Sequence, residues 1–135
     1  MKKLFFLAAA AMAFAACSNN QNASTTAAID INGHWSIVEA MGQATDSAEN
    51  PTFVVFAGDS LYGNASVNSF MGRYSLEGDQ LSLSKIAVTA MMGADMAIED
   101  AVVAALNSVA SVSMDGNNAY LCNADHDTVM VLVKD

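Results

Sequence analysis

Apolar and polar positions divide this chain into three stretches with different periodicities. Residues 4–14 are almost continuously apolar and follow the cations Lys2 and Lys3. The run has the length of a secretory signal core and falls short of the roughly 20 residues that cross a bilayer as a helix. Residues 18–28, SNNQNASTTAA, are small and polar without a period, which predicts a flexible tether. From Ile29 onward the pattern is one of short β-rich runs: 34–39, 52–56, 61–64, 73–77, 80–84, 111–114, 118–122 and 128–134. Gly58-Asp59-Ser60, Glu77-Gly78-Asp79-Gln80 and Asp115-Gly116-Asn117 supply turn signals between them. In the last run Val129, Val131 and Val133 share one face, and Met130 and Leu132 the other. Two apolar faces predict a central strand covered on both sides.

One stretch breaks the alternation. In 95–107, Ile98, Ala101, Val102, Ala105 and Leu106 recur at helical spacing. Asp95 reads as the N-cap, and Glu99 and Asp100 suit the positive end of the helix dipole. The expected fold class is mainly β, or α+β. It is a single domain with a curved, half-barrel-like antiparallel sheet of about 7–8 short strands and one packed α-helix. The expected organisation is a leader at 1–16, an anchor and tether at 17–28, and the domain at 29–135.

Charge narrows the partners. Removing 1–16 takes away two lysines and leaves Arg73, Lys85 and Lys134 against 14 acidic residues, a net charge of −11. Nothing in such a domain neutralises a phosphate backbone, so nucleic acid is excluded as a partner. Anionic headgroups repel it as well, so any membrane attachment falls to a lipid. The acids are spread along the chain, which reads as a solvated surface and not an acidic tail.

Ala15-Ala16-Cys17 after the apolar run resembles a bacterial lipobox, with Phe14 in place of the usual leucine. The alternative is an ordinary secretory cut after Ala16. In the lipobox reading the mature chain begins at Cys17, acylated there with palmitate-type chains, and several chains give stable anchoring. Ser18, with no acid beside the cysteine, resembles lipoproteins sent to the outer membrane, and the run lacks an acidic surface-export tag. That favours a periplasm-facing location. With Cys17 lipidated, the domain has no second thiol with which Cys122 could form an internal disulfide. Cys122 sits in an apolar alternation and reads as a buried, inert thiol, the alternative being a reactive or intermolecular one.

Several segments in order resemble the META domain, the HslJ-like domain of bacterial envelope lipoproteins. Ile31-x-Gly33-x-Trp35 resembles its opening strand. The stretch from Asn64 to Tyr74 resembles its central motif, with Asn68, Phe70, Gly72 and Tyr74 in N-x-F-x-G-x-Y. The segment from Leu81 to Met92 resembles the following strand and its A-x-T-x-M ending at Thr89 and Met91. The helix and two closing strands fit as well, so the resemblance covers residues 31–134. Members often carry a cysteine pair where this chain has Val67 and Gly93, so no thiol chemistry at that place carries over. The resemblance implies a role in stress or envelope integrity, and no reaction. On the residues alone, Gly72 permits a tight backbone or a positive φ, Asn68 bonds its own backbone in a turn, and Phe70 and Tyr74 fill the core. A ligand-contacting loop is the alternative reading of the motif.

Candidate chemistry is sparse. Asp125-His126-Asp127 could chelate a divalent ion with a third ligand, or is a polar hairpin loop. His34 alternates to the solvent face. Met91, Met92 and Met96 could offer soft thioethers to copper(I), could line a groove for an apolar ligand or peptide, or could fill the core. No nucleophile elbow, zinc-protease helix or phosphate loop occurs. Asp46-Ser47-Ala48, Asp59-Ser60-Leu61 and Asp127-Thr128-Val129 resemble an O-glycosylation signal of some gut bacteria and are equally turn and cap pairs. The sequence therefore predicts a non-enzymatic, cofactor-free envelope lipoprotein that binds or supports an envelope protein. A small-ligand or copper-type metal module, using the methionine segment or the concave face of the sheet, is the alternative.

Overall fold

The structure is a computed structural model and describes residues 28–135. The expected leader at 1–16, the expected anchor at Cys17 and nearly all of the expected tether lie outside the described residues. In chain order the elements are β1 (Gly33–Ala40), β2 (Gln43–Ala44), β3 (Phe53–Ala57), β4 (Ser60–Asn64), β5 (Ser69–Glu77), β6 (Gln80–Val88), α1 (Ala97–Leu106), β7 (Ser111–Asp115), β8 (Asn118–Cys122) and β9 (Thr128–Lys134). The strands form one antiparallel sheet in the order β2-β1-β3-β4-β5-β6-β7-β8-β9, and β1 also pairs with β9. That last pairing closes β1 and β3–β9 into an eight-stranded barrel, while the two residues of β2 extend the end of β1. The sheet is therefore mainly β with one helix, as expected, but closed where the sequence predicts a half-barrel. Closure satisfies edge strands that would otherwise recruit another chain.

The closing register runs from Trp35↔Lys134 to Ala40↔Met130, with Val38 bulged out between Ile37 and Glu39. The bulge marks the point where β1 passes from β3 to β2. There the Ile37 carbonyl accepts from both Thr45 Oγ1 (2.6 Å) and Thr52 Oγ1 (2.7 Å), which keeps two buried hydroxyls satisfied. The opposite seam is thin. β6 meets β7 at the single register pair Gln80↔Ser111, flanked by Leu81 N–H to Ala110 O and Val112 N–H to Asp79 O.

The barrel interior is filled with side chains. Trp35, Phe56, Leu61, Phe70, Leu81, Leu121, Met130 and Leu132 are all at most 2% exposed. The concave face is thus occupied by the core side chains themselves. The helix lays Ile98, Val102, Ala105 and Leu106 against β1, β2 and β9. It belongs to one end of the barrel, where the long connections 41–52, 65–68, 89–96 and 123–127 gather. The other end carries the tight turns at Gly58, Gly78 and Gly116, all at positive φ.

Local differences from the sequence expectation have physical reasons. β5 starts at Ser69, not Arg73, because Phe70 already alternates buried between exposed Ser69 and Met71. β6 continues past Ser84 to Val88, taking Lys85 through φ 55 at a register shift opposite Gly72. β9 is central, between β8 and β1, but only Met130, Leu132 and Val129 are buried. Val131 and Val133 are only partly buried on the outer wall. The helix begins at Ala97 with Met96 as N-cap, and Asp95, one residue earlier, accepts from the Ala97 N–H at 2.9 Å.

Candidate functional site

The motif residues converge at the looped end of the barrel. Asn68 follows the 65–67 connection and is 1% exposed. Its side chain reaches across to other segments and not back to its own turn, which corrects the sequence expectation. Asn68 Nδ2 donates to Met91 O (2.8 Å) and to Glu99 Oε2, while Oδ1 accepts from the Met91 N–H (2.7 Å) and Thr89 Oγ1 (2.8 Å). Two donors and two lone pairs are all an amide has, so Asn68 is saturated. Thr89 Oγ1 in turn accepts from the Ser69 N–H at 3.1 Å.

Glu99, 4% exposed on the first turn of α1, completes the network. Its Oε1 accepts from the backbone N–H groups of Val67 (2.9 Å) and Asn68 (2.7 Å). One carboxylate thus ties the helix to the 65–68 connection, and Asn68 ties that connection to the segment after β6. The sequence reading placed Glu99 as a partner of the helix dipole and missed this role. A signal was present: Glu99 lies three residues before Val102 and seven before Leu106, on the buried stripe, where a carboxylate requires dedicated donors.

The connection is strained and tightly held. Ser66 adopts φ 119, a region that side chains avoid, and is 1% exposed. Its N–H donates to Asn64 Oδ1 (2.8 Å), its carbonyl accepts from Asn50 Nδ2 (2.7 Å), and its Oγ accepts from the Glu49 N–H (3.0 Å). Such strain persists where neighbours over-determine it.

The other motif residues are spread through the wall and core. Trp35 Nε1 donates to Ile31 O (2.8 Å), and Lys134 Nζ lies 4.7 Å from the Trp35 ring while donating to Asn32 O. Gly33 opens β1 at φ 119 directly beneath that lysine. Phe70 and Tyr74 are buried, and Tyr74 meets Phe56 edge-on at 5.0 Å. Gly72 is needed for close approach and not for a positive φ, since a Cβ there would lie 2.9 Å from Ser84 O and 2.6 Å from Ile86 Cδ1. Met91 joins the network only through its main chain.

Met91 and Met92 are 60% and 82% exposed, against the expectation that they fill the core. Met96 is half-buried, and its Sδ accepts from the Gly93 N–H. His126 is exposed at φ 69 in the β8–β9 turn. That turn is organised by Asn123 Oδ1, which accepts from the N–H groups of Asp125 and Asp127. Among the described residues no three His, Cys, Asp or Glu side chains gather so as to hold a metal ion. His34 is exposed, stacks on Phe53 at 4.8 Å and pairs with Asp135. Cys122 is buried at the end of β8.

At the tight-turn end an open cleft of about 360 Å³ lies between Asp30, Asn32, Asp59 and Tyr74. Tyr74 Oη donates to Asn32 Oδ1 at 3.2 Å. Burial holds the Tyr74 hydroxyl above its usual 10.0, helped by the negative charges of Asp30 and Asp59. A raised native pKa stabilises the fold below pH 10 and loses that contribution as pH rises through the native value. The denaturant midpoint is thus expected to fall above pH 10, and Tyr74→Phe to flatten that fall; an unchanged slope in the variant counts against this assignment. Asp30 is held below its usual 3.8, first by the backbone N–H and then by the side-chain amide of Asn32, so its contribution is present above pH 4 and lost at lower pH.

A family model described as the META domain matches residues 27–135. An NMR structure of a protein from Burkholderia xenovorans is similar, with a TM-score of 0.61 at 19% identity over 87% of this chain and 99% of that one. A crystal structure of a DUF4847 family protein from Bacteroides vulgatus has a TM-score of 0.59 at 14% identity over 79% of this chain and 95% of that one. At such identities the likeness is one of fold. No curated protein matches the sequence.

Proposed function

The chain belongs to the META domain family, and from that premise we propose that it is a lipid-anchored envelope protein that works by binding other envelope components, without a reaction of its own. The observation that carries the reading is the saturation of the motif: Asn68 spends all its hydrogen-bonding capacity inside the protein, and the Glu99 carboxylate is taken up by three internal donors. Groups so occupied fix loops and leave nothing for a substrate. The Ala15-Ala16-Cys17 junction supports an acyl anchor, and Ser18 supports delivery to the outer membrane, facing the periplasm. The HslJ-like likeness supports a role in envelope integrity under stress.

The test is metabolic labelling with radioactive palmitate in a Gram-negative host. The full chain should be labelled and fractionate with the outer membrane. Cys17→Ser should abolish the label and leave an uncleaved precursor. A Cys17→Ser chain that is still cleaved at Ala16 and appears soluble in the periplasm would overturn the anchor.

The exposure of Met91 and Met92 favours a second reading, copper(I) binding by thioethers with Met96. Cu(I) should then raise the melting temperature of the protein and lose that effect in Met91→Leu/Met92→Leu. No shift with Cu(I) would exclude it.

A further inference from the structure

Methionine occupies an unusual share of the exposed apolar surface. Among the described residues the large hydrophobic side chains with substantial exposure are Val38, Met41, Tyr62, Met71, Met91 and Met92. Four of these six are methionine, at 49–82% exposure, and none is Leu, Ile, Phe or Trp. Methionine is ordinarily among the more buried residue types. Here the core is built from other residues, and among the described residues Met130 at 0% exposure is the one methionine fully inside it. Apolarity alone gives no reason for the bias. The property that separates methionine from leucine or valine is a thioether that undergoes reversible two-electron oxidation.

We propose that Met41, Met71, Met91 and Met92 are surface oxidation sites that consume peroxide-class oxidants as methionine sulfoxides while the fold stays intact. The step is a direct oxygen transfer: R–S–CH3 + H2O2 → R–S(=O)–CH3 + H2O. The O–O bond breaks and the S–O bond forms. The thioether sulfur gives up two electrons, and the peroxide is reduced to water. No cofactor is required, and the sulfoxide is returned to thioether by methionine sulfoxide reductases.

Placement makes the reaction harmless at these four positions. Met71 stands on the outer wall opposite Tyr62 and Ala87. Met41 is in the β1–β2 turn at φ 50, where its N–H donates to Val129 O and its side chain is free of the core. Met91 holds Asn68 through N–H and C=O alone, so a sulfoxide on its side chain leaves the network closed. Met92 is the most exposed at 82%. By contrast a sulfoxide at Met130 would put a polar group in the closed barrel without a partner. Met96 and Met114 are half-buried and fall between the two classes. The inference is independent of the lipid anchor.

The test titrates the protein with hydrogen peroxide, maps sulfoxides by peptide mass spectrometry, and follows the melting temperature in parallel. Met41, Met71, Met91 and Met92 should oxidise at least roughly tenfold faster than Met130. The melting temperature should stay within about 2 °C until they are consumed. Reductase treatment should restore the unoxidised mass. Protein recovered from cells after sublethal peroxide should carry sulfoxide at these four positions and not at Met130. Comparable rates at Met130, loss of fold with the first sulfoxides, or no sulfoxide in cells would each overturn the proposal. A Met→Leu variant at all four positions that keeps its melting temperature yet consumes as much peroxide would overturn it as well.

Discussion

Replacing Glu99 with alanine is expected to lower the unfolding free energy by about 3 kcal/mol, a large share of what a domain of this size has. The carboxylate meets two backbone N–H groups, of Val67 and Asn68, and the Asn68 side-chain amide, in a place that is 4% exposed. Alanine leaves all three donors without their acceptor. Each buried orphan costs roughly 1–3 kcal/mol, and removing a buried charge returns only part of that sum. Glu99→Gln separates shape from chemistry. The glutamine oxygen can still accept from the two backbone N–H groups, but its amide nitrogen then faces Asn68 Nδ2, donor against donor. The expected loss is about 1–2 kcal/mol. Urea denaturation of the two variants checks the order; a glutamine variant as damaged as the alanine one would mean that the backbone bonds contribute little.

Gly63→Ala is the second large effect. Gly63 faces Val54 in the β3–β4 ladder, and a Cβ there would lie 2.0 Å from the Phe53 carbonyl oxygen and 2.8 Å from Phe70 Cζ. The first obstacle is main chain, so no rotamer change relieves it. The loss is expected at or above the ~3 kcal/mol upper range for overpacking. Phe70→Leu in the same chain would remove the ring contact and leave the carbonyl contact. It should therefore fail to rescue Gly63→Ala. A soluble Gly63→Ala domain with wild-type melting temperature would show that the two strands separate there more easily than their register implies.

The parts of the fold legible in sequence are those decided within a few residues. The hairpins at Gly58, Gly78 and Gly116 combine a turn glycine with alternating flanks, and each sits where the pattern places it. The helix is likewise local, displaced by one residue at its N-cap. The closure of β1 on β9 was not legible, because it joins Trp35 to Lys134 and rests on the twist of every strand between. The polar network was half legible. Asn68, Thr89 and Met91 stand out by resemblance, but their partner Glu99 comes from a helix 31 residues beyond Asn68. In sequence an acid in a first helical turn looks like a dipole partner. Only the packing of α1 against the barrel end turns it inward. The exposure of Met91 and Met92 was missed for the converse reason. Apolar residues at short spacing read as core, while the Asn68 bonds to the Met91 main chain hold that segment across the end of the barrel with its side chains outward.

The central claim is that the motif binds the protein to itself, with Glu99 holding the 65–68 connection closed over the looped end. Native-state hydrogen exchange at the Val67 and Asn68 amides tests it most directly, in the wild-type domain and in Glu99→Ala, which removes their shared acceptor. Both amides should be protected in the wild type well beyond the exposed Gly58 and Gly78 turns. Both should exchange at least about tenfold faster in the variant, while β8 and β9 amides keep their order relative to one another. Val67 and Asn68 amides that exchange as fast as the turns in the wild type, or that do not respond to Glu99→Ala, would contradict the claim.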